Sequence, residues 1–182
     1  MKTNSKNKGS RFERTIAKWF EEWTGYKFSR TPGSGGWAKA KDAFGDLVCT
    51  DEKHGRRFPF SIECKNYKDI KFEHLLLGNK ACKIKSFWDQ AVHDANRCNK
   101  IPMLIMKYNG MAKNEGFLIV NGSIANLLAA QLGDDENSNT GRFMYIGNKN
   151  LDIDVYVFML SDIKSKVDYS TLYKEAKKLI KK

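Results

Sequence analysis

Residues 58–65 read Phe-Pro-Phe-Ser-Ile-Glu-Cys-Lys, an apolar run bound for a protein core that ends on a carboxylate and an ammonium. Carrying Glu63 into such a place costs several kcal/mol unless the charge is paired, hydrogen-bonded or bound to a metal. A fold that accepts this run must therefore bring Glu63 a partner. Residues 45–50 form an earlier apolar run, and the polar Asp-Glu-Lys-His-Gly of residues 51–55 separates the two, which predicts a β-hairpin. Side chains on a strand repeat every two residues, so Glu63 and Lys65 share one face and Cys64 points to the other. Asp46, seventeen residues before Glu63 and at the start of the neighbouring strand, can lie beside them. Two carboxylates and one ammonium at a sheet edge make a hard-oxygen site suited to Mg²⁺. Lys65 is then placed to orient or deprotonate a water and to stabilise charge on a phosphate. The bland alternative is an exposed, ion-paired strand end, and the apolar residues that precede Glu63 argue against it.

The rest of the chain alternates helical and extended patterns. From Ser10, the residues Phe12, Ile16, Trp19, Phe20 and Trp23 recur at helical spacing, and Gly25 supplies a stop. Residues 1–9 are polar and basic and are expected to form a flexible arm. Residues 26–31 predict a short strand, and residues 32–36 (Pro-Gly-Ser-Gly-Gly) a loop. Residues 67–85 form a charged insertion in which Leu75, Leu76 and Leu77 mark an apolar contact. A helix over 87–99 has Phe87, Ala91, Asp94 or Ala95 and Cys98 along one side, and a buried strand spans 103–106. Strands over 117–120, 143–146 and 153–160, a helix over 123–132, an acidic loop over 133–140 and a basic helix over 169–182 complete the chain. This order argues a single α/β or α+β domain of 182 residues, with helices flanking a central mixed sheet.

The 32 Lys and Arg outnumber the 21 Asp and Glu, and the excess sits at the ends: +7 over residues 1–41 and +5 over 163–182, against −1 between them. Such a distribution favours polyanions, whose phosphates release condensed counterions when neutralised. Cys49, Cys64, Cys82 and Cys98 form no CxxC pair, and Cys82, His93 and Cys98 fit no zinc-finger spacing, so reduced thiols are expected. No apolar run reaches the roughly 18 residues of a membrane span. A soluble, intracellular protein is the expectation.

Four segments in order, Lys8-Gly-Ser-Arg-Phe-Glu13, Arg30-Thr-Pro-Gly-Ser-Gly-Gly36, Gly45-Asp46 and Glu63-Cys64-Lys65, carry a resemblance that Trp88-Asp-Gln-Ala91 extends. Over about residues 8–107 the chain resembles the PD-(D/E)xK nuclease superfamily, especially its Holliday-junction resolvase-like and phage-encoded members. The resemblance implies a restriction-endonuclease-like α/β core over 8–107, with 108–182 adding strands and the basic terminal helix. It implies that Asp46 and Glu63 bind the metal, that the Cys64 backbone carbonyl is a further ligand, and that Lys65 assists the attacking water. Glu13 would lie near the metal, although Ser10 to Glu13 also reads as a capping box. Gln90 would approach the site from the later helix. Gly45 stands where the superfamily has its proline, and a glycine permits a close backbone approach there.

The loop from Arg30 onward suits DNA: small residues let amides approach a phosphate, Arg30 and Ser34 add donors, and Lys39 and Lys41 follow Trp37. The reading that results is a Mg²⁺-dependent endodeoxyribonuclease, with Mn²⁺ able to substitute. It would select branched or Holliday-junction DNA in recombination or repair, and act as a homodimer because symmetrical incision needs two sites about a two-fold axis. A restriction-like or nicking repair endonuclease, a non-catalytic DNA-binding module on the same fold, and an RNA-associated protein are the rivals.

Overall fold

The computed structural model describes residues 5–31, 44–78, 82–133 and 142–180. Helix α1 (Ser5–Thr24) is followed by strands β1 (Phe28–Arg30), β2 (Leu47–Cys49) and β3 (Phe60–Tyr67), a short helix α2 (Glu73–Leu76) and helix α3 (Lys83–Arg97). Then come β4 (Ile101–Tyr108), β5 (Phe117–Val120), α4 (Gly122–Leu132), β6 (Phe143–Asn148), β7 (Ile153–Met159), α5 (Leu160–Lys166) and α6 (Tyr169–Leu179). Among the described residues the strands form one seven-stranded sheet in the order β1-β2-β3-β4-β5-β7-β6. Only β3 and β4 run parallel, and α2 and α3 lie in the crossover that a parallel pair requires. The fold is an α/β sheet flanked by helices, of the restriction-endonuclease-like kind.

Two apolar layers sandwich the sheet. Phe60, Ile62 and Cys64 of β3 and Met103 and Ile105 of β4 face the layer that holds Phe12, Ile16 and Phe20 of α1, together with apolar residues of α4, α5 and α6. Leu104 and Met106 of β4 face the other layer, with Leu75 of α2 and Ile84, Trp88 and Ala91 of α3. The alternation places Glu63 on the α3 side of a strand that is covered on both faces and paired on both edges.

The hairpin forms as expected, with Leu47 opposite Ile62. Asp51 shapes its turn, its carboxylate accepting from the Lys53 and His54 amides at 3.1 and 2.9 Å. Gly25, at φ +74°, ends α1. Residues 5–9 are not a loose arm, because α1 begins at Ser5. Once Phe12 to Phe20 bury one stripe, the polar residues before them extend a helix already nucleated, and Lys8 reaches across to Asn109. Ser10 therefore lies inside the helix, and the capping box is not made. Of the three leucines in the insertion only Leu75 is buried, while Leu76 and Leu77 are exposed. The seven-residue helix α5, of which the periodicity gives Leu160 to the preceding strand and the rest to no element, forms because Leu160 and Ile163 bury together one turn apart.

Candidate active site

Gly45 begins the site. Its φ is +87°, and a Cβ there would stand 2.6 Å from the Ile62 carbonyl oxygen. A residue with a side chain would have to push β3 away. The close approach lets the Asp46 amide donate to Ile62 O at 2.8 Å, while the Asp46 carbonyl accepts from the Thr31 amide at 2.9 Å. Asp46 is thus clamped between β1 and β3 at the mouth of the hairpin. Its carboxylate turns along β3 and accepts the Cys64 amide at 2.8 Å.

Glu63 is 2% exposed, the one buried acidic residue among those described. Its carboxylate receives the Lys65 ammonium, which is itself mostly covered and lies 5.5 Å from the centre of the Phe87 ring. The predicted sharing of a face by Glu63 and Lys65 is realised as a direct ion pair. Burial, then the Asp46 charge beside it, push the Glu63 carboxyl up to about 7 against the pull of Lys65. Burial also raises Asp46, where the Cys64 amide and Lys65 act against it and the Glu13 charge adds to it. These two carboxyls resist ionising side by side. The Cys64 thiol, fully buried on the opposite face, is pushed well up by burial and by Asp46, so only its backbone is available to the site.

Glu13 comes from α1 on the opposite apolar layer and pairs with Arg30, whose other end donates to the Ser10 hydroxyl at 3.0 Å. Arg30, expected on a phosphate, here holds Glu13. The Thr31 hydroxyl, buried on the residue whose amide binds Asp46, has no hydrogen-bond partner among the described residues. Gln90 is exposed on α3, on the same face as Phe87 and Asp94 by helical spacing. Phe87 meets Lys65, and the Asp94 charge contributes to raising Glu63. These two are the site residues that sequence reading did not assign to the chemistry; their spacing either side of Gln90 was the available signal. Ser34, Lys39 and Lys41 lie outside the described residues.

Among the described residues no three His, Cys, Asp or Glu side chains form a ready cage for a metal ion. Mg²⁺ does not demand one, since it keeps several waters and takes one or two carboxylates plus substrate oxygens. Asp46 and Glu63 meet that description. Between α1 and the chain at residues 113–114 and 161–165, a cleft of about 860 Å³ carries Arg11, Arg14, Lys18, Lys113 and Lys164 against a single acid, Glu22. Lys18 and Lys164 pair with Glu22, leaving Arg11, Arg14 and Lys113 without a carboxylate partner among the described residues. No described helix is long and apolar enough to cross a membrane.

The chain is 28% identical over 107 residues to "Protein D14" of Escherichia phage T5. The match covers 59% of this chain and 66% of that protein, just under two thirds of its length. No solved structure matches the chain. A family model described as "Phage putative PDDEXK endonuclease" matches residues 4–174, nearly the whole chain, and the chain belongs to that nuclease family.

Proposed function

We propose that the protein is a divalent-metal-dependent endodeoxyribonuclease whose single nuclease domain hydrolyses phosphodiester bonds at the mouth of the β2–β3 hairpin. One observation carries this: two carboxylates from separate chain segments, the half-buried Asp46 just ahead of β2 and the buried Glu63 of β3, stand close enough for the Asp46 charge to help raise the Glu63 pKa, with an ammonium beside them. Left alone, such a pair is a standing cost. A cation between them removes it, which is the fit expected of a metal site.

Asp46 and Glu63 would hold the ion. A residue's N–H and C=O point to the same side of a strand, so the Cys64 carbonyl faces the edge where its amide meets Asp46 and can add a third oxygen. Mg²⁺, or Mn²⁺ in its place, supplies Lewis acidity toward a phosphoryl oxygen and makes water a better nucleophile. The chain's own groups do the rest. Lys65, held by Glu63 and by the Phe87 face, can orient the attacking water and balance the charge that builds on the phosphate. Glu13, steered by Arg30, adds its negative charge to the field at Asp46, behind burial, the Cys64 amide and Lys65. Gln90 lies on the α3 face between Phe87 and Asp94, suited to contacts with the substrate or with site water.

DNA is the partner favoured by the basic cleft along α1 and by the charge of +11. Within that reading we place branched or Holliday-junction DNA first and a two-fold homodimer as the acting form, in the cytoplasm of a bacterial or phage-infected cell; a role in recombination or repair would follow. Nicked, linear, flap and four-way-junction DNA incubated with Mg²⁺ test the proposal. Cleavage of the junction by paired symmetrical cuts is expected. Absence of cleavage on every substrate with either Mg²⁺ or Mn²⁺ would refute it.

A further inference from the structure

Past Lys65 the same strand face continues to Tyr67, and there the surface opens into a hollow of about 240 Å³. Tyr67 and Phe87 form its aromatic side, their ring centres 5.6 Å apart at 68°. Ile84 and Met106 are buried and supply an apolar floor. Lys71 and Lys83, both exposed, stand at the rim, where Asp69 is the acid and lies 3.8 Å from Lys71. The hollow and the ion-paired site share a wall, since the Phe87 ring that lines the first also seats the Lys65 ammonium.

We infer that this hollow is a stacking subsite for one unpaired nucleobase of the DNA strand under attack, adjoining the scissile phosphate at Lys65. The inference rests on the nuclease reading and extends it to the form of DNA recognised. The volume falls below the roughly 300–1,000 Å³ of sites for drug-sized ligands, so it admits one ring system and not a whole nucleotide. An apolar floor with aromatic walls suits the π-face of any base, and cations at the rim suit the phosphates on either side of it. Tyr67 is 39% exposed, and an exposed ring beside a basic rim is available to stack. A base inside a duplex cannot enter without leaving its stack, so the subsite favours substrates with unpaired nucleotides: forks, flaps and junction centres.

The test uses a forked duplex with a single-stranded thymidine arm through which one abasic residue is walked. Binding is measured with Glu63→Gln protein in Mg²⁺, where no strand is cut, with and without Tyr67→Ala. Tyr67→Ala should weaken binding about five- to 150-fold, the range for losing one base–aromatic stack, and Tyr67→Phe should restore it. One abasic position should cost the parent a similar factor and cost the Tyr67→Ala protein little, which a merely structural role for Tyr67 does not produce. In otherwise wild-type protein the loss from Tyr67→Ala should enter KM more than kcat, and Lys83→Glu, on the exposed rim, should raise KM independently. If wild-type protein cleaves the fork but Tyr67→Ala leaves KM and the abasic profile unchanged, the subsite is wrong and the nuclease reading stands. If no DNA is bound and none is cut, both fall together.

Discussion

The Asp46 carboxylate accepts the backbone amide of Cys64 at 2.8 Å, across eighteen residues of chain. This bond fixes the first acid against the strand that carries the second, so that one hairpin delivers both. It also separates the two roles of Cys64: its amide steadies Asp46 while its side chain packs into the layer beneath α1. Neither role requires sulfur chemistry.

Removing either acid should silence the enzyme without unfolding it. Asp46→Asn and Glu63→Gln keep shape and lose charge, and each should reduce cleavage by about 10²–10³-fold or more. DNA binding by mobility shift should stay within a few-fold of wild type. Full activity of either variant on nicked, branched and linear DNA would remove both residues from the chemistry.

The Glu63 carboxyl makes stability depend on pH in an unusual direction. Its folded pKa of about 7 lies above an ordinary 4.5, so between those values the native state holds more proton than the unfolded chain. Without metal, stability should therefore fall as pH rises from about 4.5 to about 7, by an amount on the order of a few kcal/mol. A divalent cation competes with that proton, so Mg²⁺ or Mn²⁺ should raise the melting temperature clearly at about pH 8 and little at about pH 5.5. Thermal melts at both pH values, with and without cation, check this, and Glu63→Gln should flatten the difference.

Gly45→Ala tests the close approach. The added methyl meets the Ile62 carbonyl at a distance no relaxed contact tolerates, in a backbone conformation that disfavours any side chain. A loss of about 1–3 kcal/mol in urea unfolding is expected. Activity should fall further than stability accounts for, because Asp46 moves with the strain. Gly110→Ala is the comparison: it too has positive φ, but nothing stands near its Cβ position.

The cleft along α1 should hold DNA phosphates away from the carboxylates. Arg11→Ala with Arg14→Ala should weaken binding to all DNA forms alike and reduce the salt dependence of log K by about one for each phosphate no longer neutralised. Titrations between about 50 and 200 mM salt measure the slope. An unchanged slope would show that the strand passes elsewhere.

Much of this protein lies in short-range pattern. The two-residue repeat of a strand puts Glu63 beside Lys65 and turns Cys64 away; helical spacing marks the stripe of α1; Gly25 and the Asp51 turn end their elements through chemistry contained in a few residues. The charge of +11 and its placement at the two ends need only counting. What the tertiary structure decided is which distant groups meet. Arg30 seeks Glu13 because β1 lies alongside α1, seventeen residues on in the chain. Glu63 is buried because β4 pairs with β3 in parallel and α3, returning over the sheet, brings Phe87 and Asp94 to its side. Burial and long-range electrostatics depend on register and on how layers pack, and no local periodicity encodes either.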